Sequence, residues 1–219
     1  MKPHHKIFLT SLALLLVVID THCQTIITEG TIEYSVTNVF PNKKQPLDTF
    51  NKYTARFRFK DKKQRTDEFL NNLLTSSQFY DGKHPDTLIW IQKEKTTDEK
   101  IVTKYKGFDS TKICPKESFR HLKEEKIICG YKCFKAEYTL PGDTAKLYVY
   151  YTKEIAAPLS SQLIIYFFNL DGYPMEYNIN YRDKQVIYKT TKVNGEHIDD
   201  AVFVIPKEYK TEYFEKKNK

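Results

Sequence analysis

Between residues 53 and 60 apolar and polar side chains alternate without a break. Tyr53, Ala55, Phe57 and Phe59 fall on one side, and Thr54, Arg56, Arg58 and Lys60 on the other. A period of two places one face of a β-strand on a core and the other toward water, and a helix cannot satisfy it. The same alternation puts Ile32, Tyr34 and Val36 on one face near the start of the chain. It also sets Met175, Tyr177, Ile179 and Tyr181 opposite Glu176, Asn178, Asn180 and Arg182. Residues 88–92, with the single tryptophan Trp90, and 101–106 predict a hairpin, and 186–193 a further strand. The longest β-like stretch, 126–140, places Phe134, Ala136, Tyr138 and Leu140 together. Residues 146–152 are apolar on both faces, which predicts a strand central to the sheet or covered on both sides. Residues 163–168 are expected to run as a strand into the turn pair Asp171-Gly172, and Ala201, Phe203 and Ile205 to close the sheet before Pro206.

Turn signals punctuate these runs at Tyr80-Asp81-Gly82, Pro141-Gly142-Asp143 and Asn194-Gly195. Residues 66–74 carry apolar pairs four apart behind two acids, which predicts a short helix, with a bent strand as the alternative. Pro115 is placed to open a helical turn bearing Phe119 and Leu122. With 16 Tyr and 14 Phe the chain is rich in residues that suit a pleated surface. About nine or ten strands joined mainly by hairpins predict a mainly β fold. The expected form is a curved antiparallel sheet, a half-barrel, with one or two short helices on its concave side.

Lys2 and Lys6 flank the start of an apolar run from residue 7 to 19, which ends at Asp20-Thr21-His22-Cys23-Gln24. This is the anatomy of a secretory signal, and the run falls short of the roughly 20 apolar residues of a membrane-spanning helix. Residues 1–23 are therefore expected to be removed, 24–210 to form a single β domain and 211–219 a basic tail. Acylation at Cys23 is the alternative, disfavoured because Asp20, Thr21 and His22 replace the aliphatic and tiny residues of a lipoprotein signal. The expected location is the periplasm or the outer membrane.

The formal net charge is +7, and loss of a signal with two lysines and one aspartate leaves about +6, spread over mixed-sign stretches. Nucleic-acid binding would need basic residues concentrated on one face, and export removes that partner. An anionic membrane surface could meet the Lys216–Lys219 end. Export also permits disulfides. Of the cysteines left, Cys129 and Cys133 lie four apart in an apparent strand, roughly 13 Å at its rise per residue, too far to bond. Any bridge therefore includes Cys114, with Cys133 or alternatively Cys129 as its partner. No histidine spacing completes a metal site, and no cofactor is implied.

The segment Ile128-Cys129-Gly130-Tyr131-Lys132-Cys133-Phe134-Lys135-Ala136, with Val149-Tyr150-Tyr151-Thr152-Lys153-Glu154-Ile155 after it, resembles uncharacterised periplasmic domains of the Bacteroidota related to the lipoprotein-carrier (LolA/LolB-like) fold. Two further motifs of those domains are matched, Gly172-Tyr173-Pro174-Met175-Glu176-Tyr177 and the Asp-x-x-Phe-x-x-Pro-x-x-Tyr pattern at Asp200, Phe203, Pro206 and Tyr209. The resemblance covers mainly the C-terminal half and implies a curved antiparallel sheet with a helical plug. Cys129 departs from it, standing where a small residue is usual.

The function expected from these features is that of a non-enzymatic envelope carrier for an apolar ligand, a lipid or the acyl chain of a lipoprotein. The ligand would lie against a concave aromatic face formed by Phe57, Phe59, Trp90 and Tyr177. The alternative is an envelope-associated interaction protein without a small-molecule ligand, meeting envelope proteins or the membrane surface. Enzymatic readings lack support in the sequence, which has no Gly-x-Ser-x-Gly, no His-Glu-x-x-His and only 7 glycines. His121, His197 and the pair Asp199-Asp200 are expected to be solvated.

Overall fold

The computed structural model describes residues 26–40, 52–84, 87–93, 100–106, 119–139, 146–159, 163, 166–181, 184–205, 207 and 209–215. The expectations for residues 1–23, Cys23, Cys114, Pro115, Pro141-Gly142-Asp143 and Lys216–Lys219 lie outside them. Twelve strands are described. They are β1 (Glu29–Val39), β2 (Tyr53–Lys60), β3 (Lys63–Leu70), β4 (Leu73–Asp81), β5 (Thr87–Lys93) and β6 (Lys100–Lys106), followed by β7 (Phe119–Ile128), β8 (Tyr131–Thr139), β9 (Lys146–Thr152), β10 (Tyr173–Tyr181), β11 (Lys184–Asn194) and β12 (Lys210–Glu215). All join one curved, unclosed sheet in the order β12-β6-β5-β4-β3-β2-β1-β11-β10-β9-β8-β7.

The path explains the order. β1 lies at the middle; β2 to β6 step away from it by successive antiparallel pairings, and β7 to β11 return from the opposite edge to β1's other side. β12 then reaches the far edge and pairs with β6 in parallel. Its approach runs over one face of the sheet, here called outer, where Ile205 and Tyr209 cover Phe79, Ile91 and Val102. The other, inner face carries the main core, including Ile32, Phe57, Phe59, Val149 and Tyr177, with Leu163 and Phe167 packed into it.

Several elements differ from expectation. Residues 66–74 are a hairpin of β3 and β4 turning at Asn71-Asn72, whose φ values of 51° and 65° suit a two-residue primed turn. Leu70 opposes Leu73 and Phe69 opposes Leu74, so a tight hairpin reproduces apolar spacing that a helix would also give. Residues 126–140 likewise divide into β7 and β8 about Cys129-Gly130, with φ values of 51° and 88°. Phe119 and Leu122 belong to β7, not to a helical turn. Leu163, Tyr166 and Phe167 are helical where a strand was expected, and the spacing of Leu163 and Phe167 puts both on one buried side.

β9 is buried on one face over its first half, where Lys146 and Tyr148 on the other face are exposed, and on both faces at its end, where Tyr151 and Thr152 are buried. Its outer aromatics are covered by lysine instead of core, with Lys126 Nζ 3.6 Å from the Tyr150 ring centre. Asp200–Phe203 form a 3-10 turn in place of the closing strand, its first turn capped by Asp199, whose carboxylate accepts from Ala201 N at 2.8 Å. Residues 211–215 of the expected tail belong to β12, the last strand, which forms one edge of the sheet beside β6.

Candidate functional site

The inner face is built around Tyr34, which is completely buried. Its ring meets Phe57 at 4.9 Å, Tyr177 at 5.9 Å and Tyr188 at 6.3 Å, all edge-on. Its hydroxyl donates to the carbonyl of Pro174 at 2.6 Å. Tyr177 stacks on Tyr188 at 4.7 Å, and Phe167 closes over Tyr177 at 5.1 Å. Burial pushes the hydroxyls of Tyr34, Tyr173, Tyr177 and Tyr188 above the usual tyrosine value. Of the expected ligand-binding residues, Phe57, Phe59 and Tyr177 are thus packed into this cluster.

Trp90 is not with them. Phe57 pairs with Thr66, Thr66 with Gln78 and Gln78 with Trp90, so Trp90 shares a row with Phe57 but lies three strands away. At the spacing of neighbouring strands that is about 14 Å. Its indole nitrogen is buried and makes no hydrogen bond.

Beside the cluster the inner face stays open. A pocket of about 280 Å³ lies where β1, β2, β10 and β11 meet, lined by Val36, Tyr53, Ala55, Ile179, Val186 and Tyr188 among others. Glu68 and Lys184 also border it. The Glu68 carboxylate accepts from Ser76 Oγ at 2.7 Å and, being close to Tyr177 and Tyr188, adds to the rise in both of their pKa values. The cavity therefore has an apolar, aromatic lining with one carboxylate and one ammonium, which suits the hydrocarbon of a small amphiphile. Sequence reasoning missed Glu68 and Lys184. The short helix or bent strand expected over residues 66–74 hides Glu68, whereas Asn71-Asn72 read as a turn puts it on the same face as Phe57 and Trp90.

The other singled-out residues are spread over the molecule. His121 bonds to Tyr151 Oη at 2.9 Å and His197 pairs with Glu29 at 2.9 Å. Asp200 pairs with Lys60 and Lys63, which holds its carboxyl below the usual range. Among the described residues no group of three or more His, Cys, Asp or Glu is arranged to hold a metal, and no helix is long and apolar enough to cross a membrane.

Cys129 and Cys133 are free thiols; Cys129 is exposed in its turn and Cys133 is buried on β8, opposite Lys126. Burial pushes the Cys133 thiol up to about 12. Because the thiolate is the nucleophile, alkylation of the folded, reduced protein at mildly alkaline pH is expected to modify Cys129 and spare Cys133. Peptide mass mapping checks this, and equal labelling of the two would contradict it.

The segment Gly172-Tyr173-Pro174-Met175-Glu176-Tyr177 has a structural role. Gly172 is needed where the chain enters β10, since a Cβ there would sit 2.5 Å from the Thr152 carbonyl oxygen. Tyr173, Met175 and Tyr177 fill the core, and Glu176 reaches out to Lys126 at 2.8 Å. No family model matches the sequence, and no curated protein does. The structure is similar to PNGF-II over 85% of this chain at 15% identity, with a TM-score of 0.47, and the chain spans 31% of that protein. It is also similar to the lipoprotein LppX of Mycobacterium tuberculosis, with 77% of this chain and 88% of LppX covered, 10% identity and a TM-score of 0.33. Neither likeness is close enough to carry an argument about function.

Proposed function

We propose that this protein is an exported, non-enzymatic binding protein that holds an apolar or amphiphilic ligand, a lipid or the acyl chain of a lipoprotein, in the inner-face pocket. The observation that carries the reading is the open, mainly apolar cavity beside a closed aromatic core. Phe57 and Tyr177 act from behind, since Tyr177 fixes Tyr188 in the pocket wall and Phe57 is two residues from Ala55 on the same face. Glu68, in the row of Ala55 and Tyr34, and Lys184, at the start of β11, border the cavity at two separate positions where a head group would find a charged partner. At about 280 Å³ the cavity is near the lower end of small-molecule sites, which favours one chain over a whole diacyl lipid. The basic, apolar start of the sequence supports export to the periplasm or the outer membrane.

Titration with a fluorescent single-chain fatty-acid probe tests this. Val36 is only half-buried and borders the cavity, so Val36→Trp would put its ring into open space. The variant is expected to keep the wild-type melting temperature and lose at least about tenfold in affinity. Undiminished probe binding would sink the assignment of the pocket. The alternative of an interaction protein is favoured by Leu73 and Leu74, which stand 73% and 43% exposed at the β3–β4 tip. It predicts no saturable probe binding at all.

A further inference from the structure

A second pocket lies on the opposite face of the sheet. Lys192 on β11 pairs with Glu33 on β1, and Glu33 with Arg56 on β2; one step along, Asn194 pairs with Thr31, and Thr31 with Arg58. These six side chains line a cavity of about 230 Å³. All but Glu33 bring hydrogen-bond donors. Glu33 is engaged by Arg56 Nε at 3.2 Å, and Asn194 Oδ1 accepts from Glu196 N at 3.1 Å, which leaves the Asn194 amide group to donate. Arg58 bonds to Asp67 through Nη2, while its Nε is buried and makes no hydrogen bond. Lys192 is exposed, with no ion pair among the described residues.

We propose that this outer-face pocket binds an oxyanion of the phosphate class, held by Arg56, Arg58 and Lys192 with Thr31 and Asn194 donating to the remaining oxygens. Glu33 already pairs with Arg56, and Asp67 on the neighbouring strand with Arg58, so Lys192 brings the unpaired positive charge that attracts an incoming acid. Burial and the neighbouring Arg65 and Arg56 already draw Arg58 down to about 10, a crowding of positive charge that a bound anion would relieve. The donors come from three strands around the cavity, an arrangement that suits a tetrahedral group better than a planar carboxylate. The site shares no residue with the inner-face pocket, and neither proposal depends on the other.

Calorimetric titration of the full chain with inorganic phosphate, at ionic strength held constant with chloride, tests the proposal alongside sedimentation with phosphatidylglycerol vesicles. Saturable phosphate binding is expected, weakened about tenfold by Lys192→Gln and strengthened several-fold by Glu33→Gln. Lys192 is exposed and the Glu33–Arg56 pair is open to solvent, so neither substitution should disturb folding, and misfolding could not produce tighter binding. Binding of phosphate without vesicles would assign the site to a free oxyanion. Vesicle binding that Lys192→Gln removes would assign it to a lipid head group. No saturable binding to either, or binding that ignores both substitutions, would overturn the proposal.

Discussion

Raising the pH above about 10 is expected to unfold the protein in one steep transition, driven by four tyrosines on the inner face. Tyr34, Tyr173, Tyr177 and Tyr188 are each at most 9% exposed, and burial holds their hydroxyls protonated well past the ordinary value. Below pH ~10 both folded and unfolded chains keep these protons, and the tyrosines add no slope to stability. Above it the unfolded chain releases them and the folded chain does not, so stability falls as pH rises. Each tyrosine removes about 1.4 kcal/mol per pH unit, and the four together about 5 kcal/mol, against a whole stability of about 5–15 kcal/mol. Tyrosinate absorbance and far-ultraviolet circular dichroism, followed together, check this. Ionisation of all tyrosines in a chain that keeps its β-sheet signal would contradict it.

Replacing Asp67 by alanine is expected to cost about 3 kcal/mol or slightly more, read from the shift in urea midpoint. Asp67 is 1% exposed although it lies on the outer face of β3. Arg58 pairs with it, Arg65 Nε donates to it at 2.8 Å and Ser77 Oγ at 2.6 Å. Arg65 is further tied to the chain crossing this face, since its Nη1 donates to the Val202 carbonyl at 3.1 Å. Removing the carboxylate would leave two neighbouring guanidiniums with no shared counter-charge. Because they remain 21% and 23% exposed, water takes up part of the penalty, which keeps the figure at the low end of the usual range for breaking a buried pair. Asp67→Asn, which keeps the shape and the oxygen that accepts from Arg65 and Ser77 but turns a donor amide toward Arg58, should fall between. A loss below about 1 kcal/mol for Asp67→Ala would mean the pair behaves as an ordinary surface bridge.

The fold class and the inner faces of β1, β2 and β10 were legible in the sequence, because period-two alternation reports directly on which side chains share a face. Tight turns were harder. Asn71-Asn72 and Cys129-Gly130 each reverse the chain with two residues, and neither is the Asn-Gly or Asp-Gly pair that marks such turns most clearly. Missing the first hid Glu68; missing the second made one strand of two and misplaced Cys129. The arginines of β2 read as a wetted face, but Arg58 pairs with Asp67 and is half-buried, and residues 198 and 202 bond to the nearby Lys60 and Arg65, none of which a local pattern shows. Aromatic load alone could not tell a wall from a core. Phe57, Phe59 and Tyr177 read as ligand contacts and are packed against other side chains, while the cavity opens one step along the same strands.

Native mass spectrometry of the mature protein, released from a bacterial periplasm without detergent, tests the binding role most directly. A stoichiometric adduct with the mass of a single-chain lipid or acyl species, absent from the Val36→Trp variant, is the result predicted. A clean apo mass for the wild type that persists after incubation with fatty acids and lysolipids would contradict it.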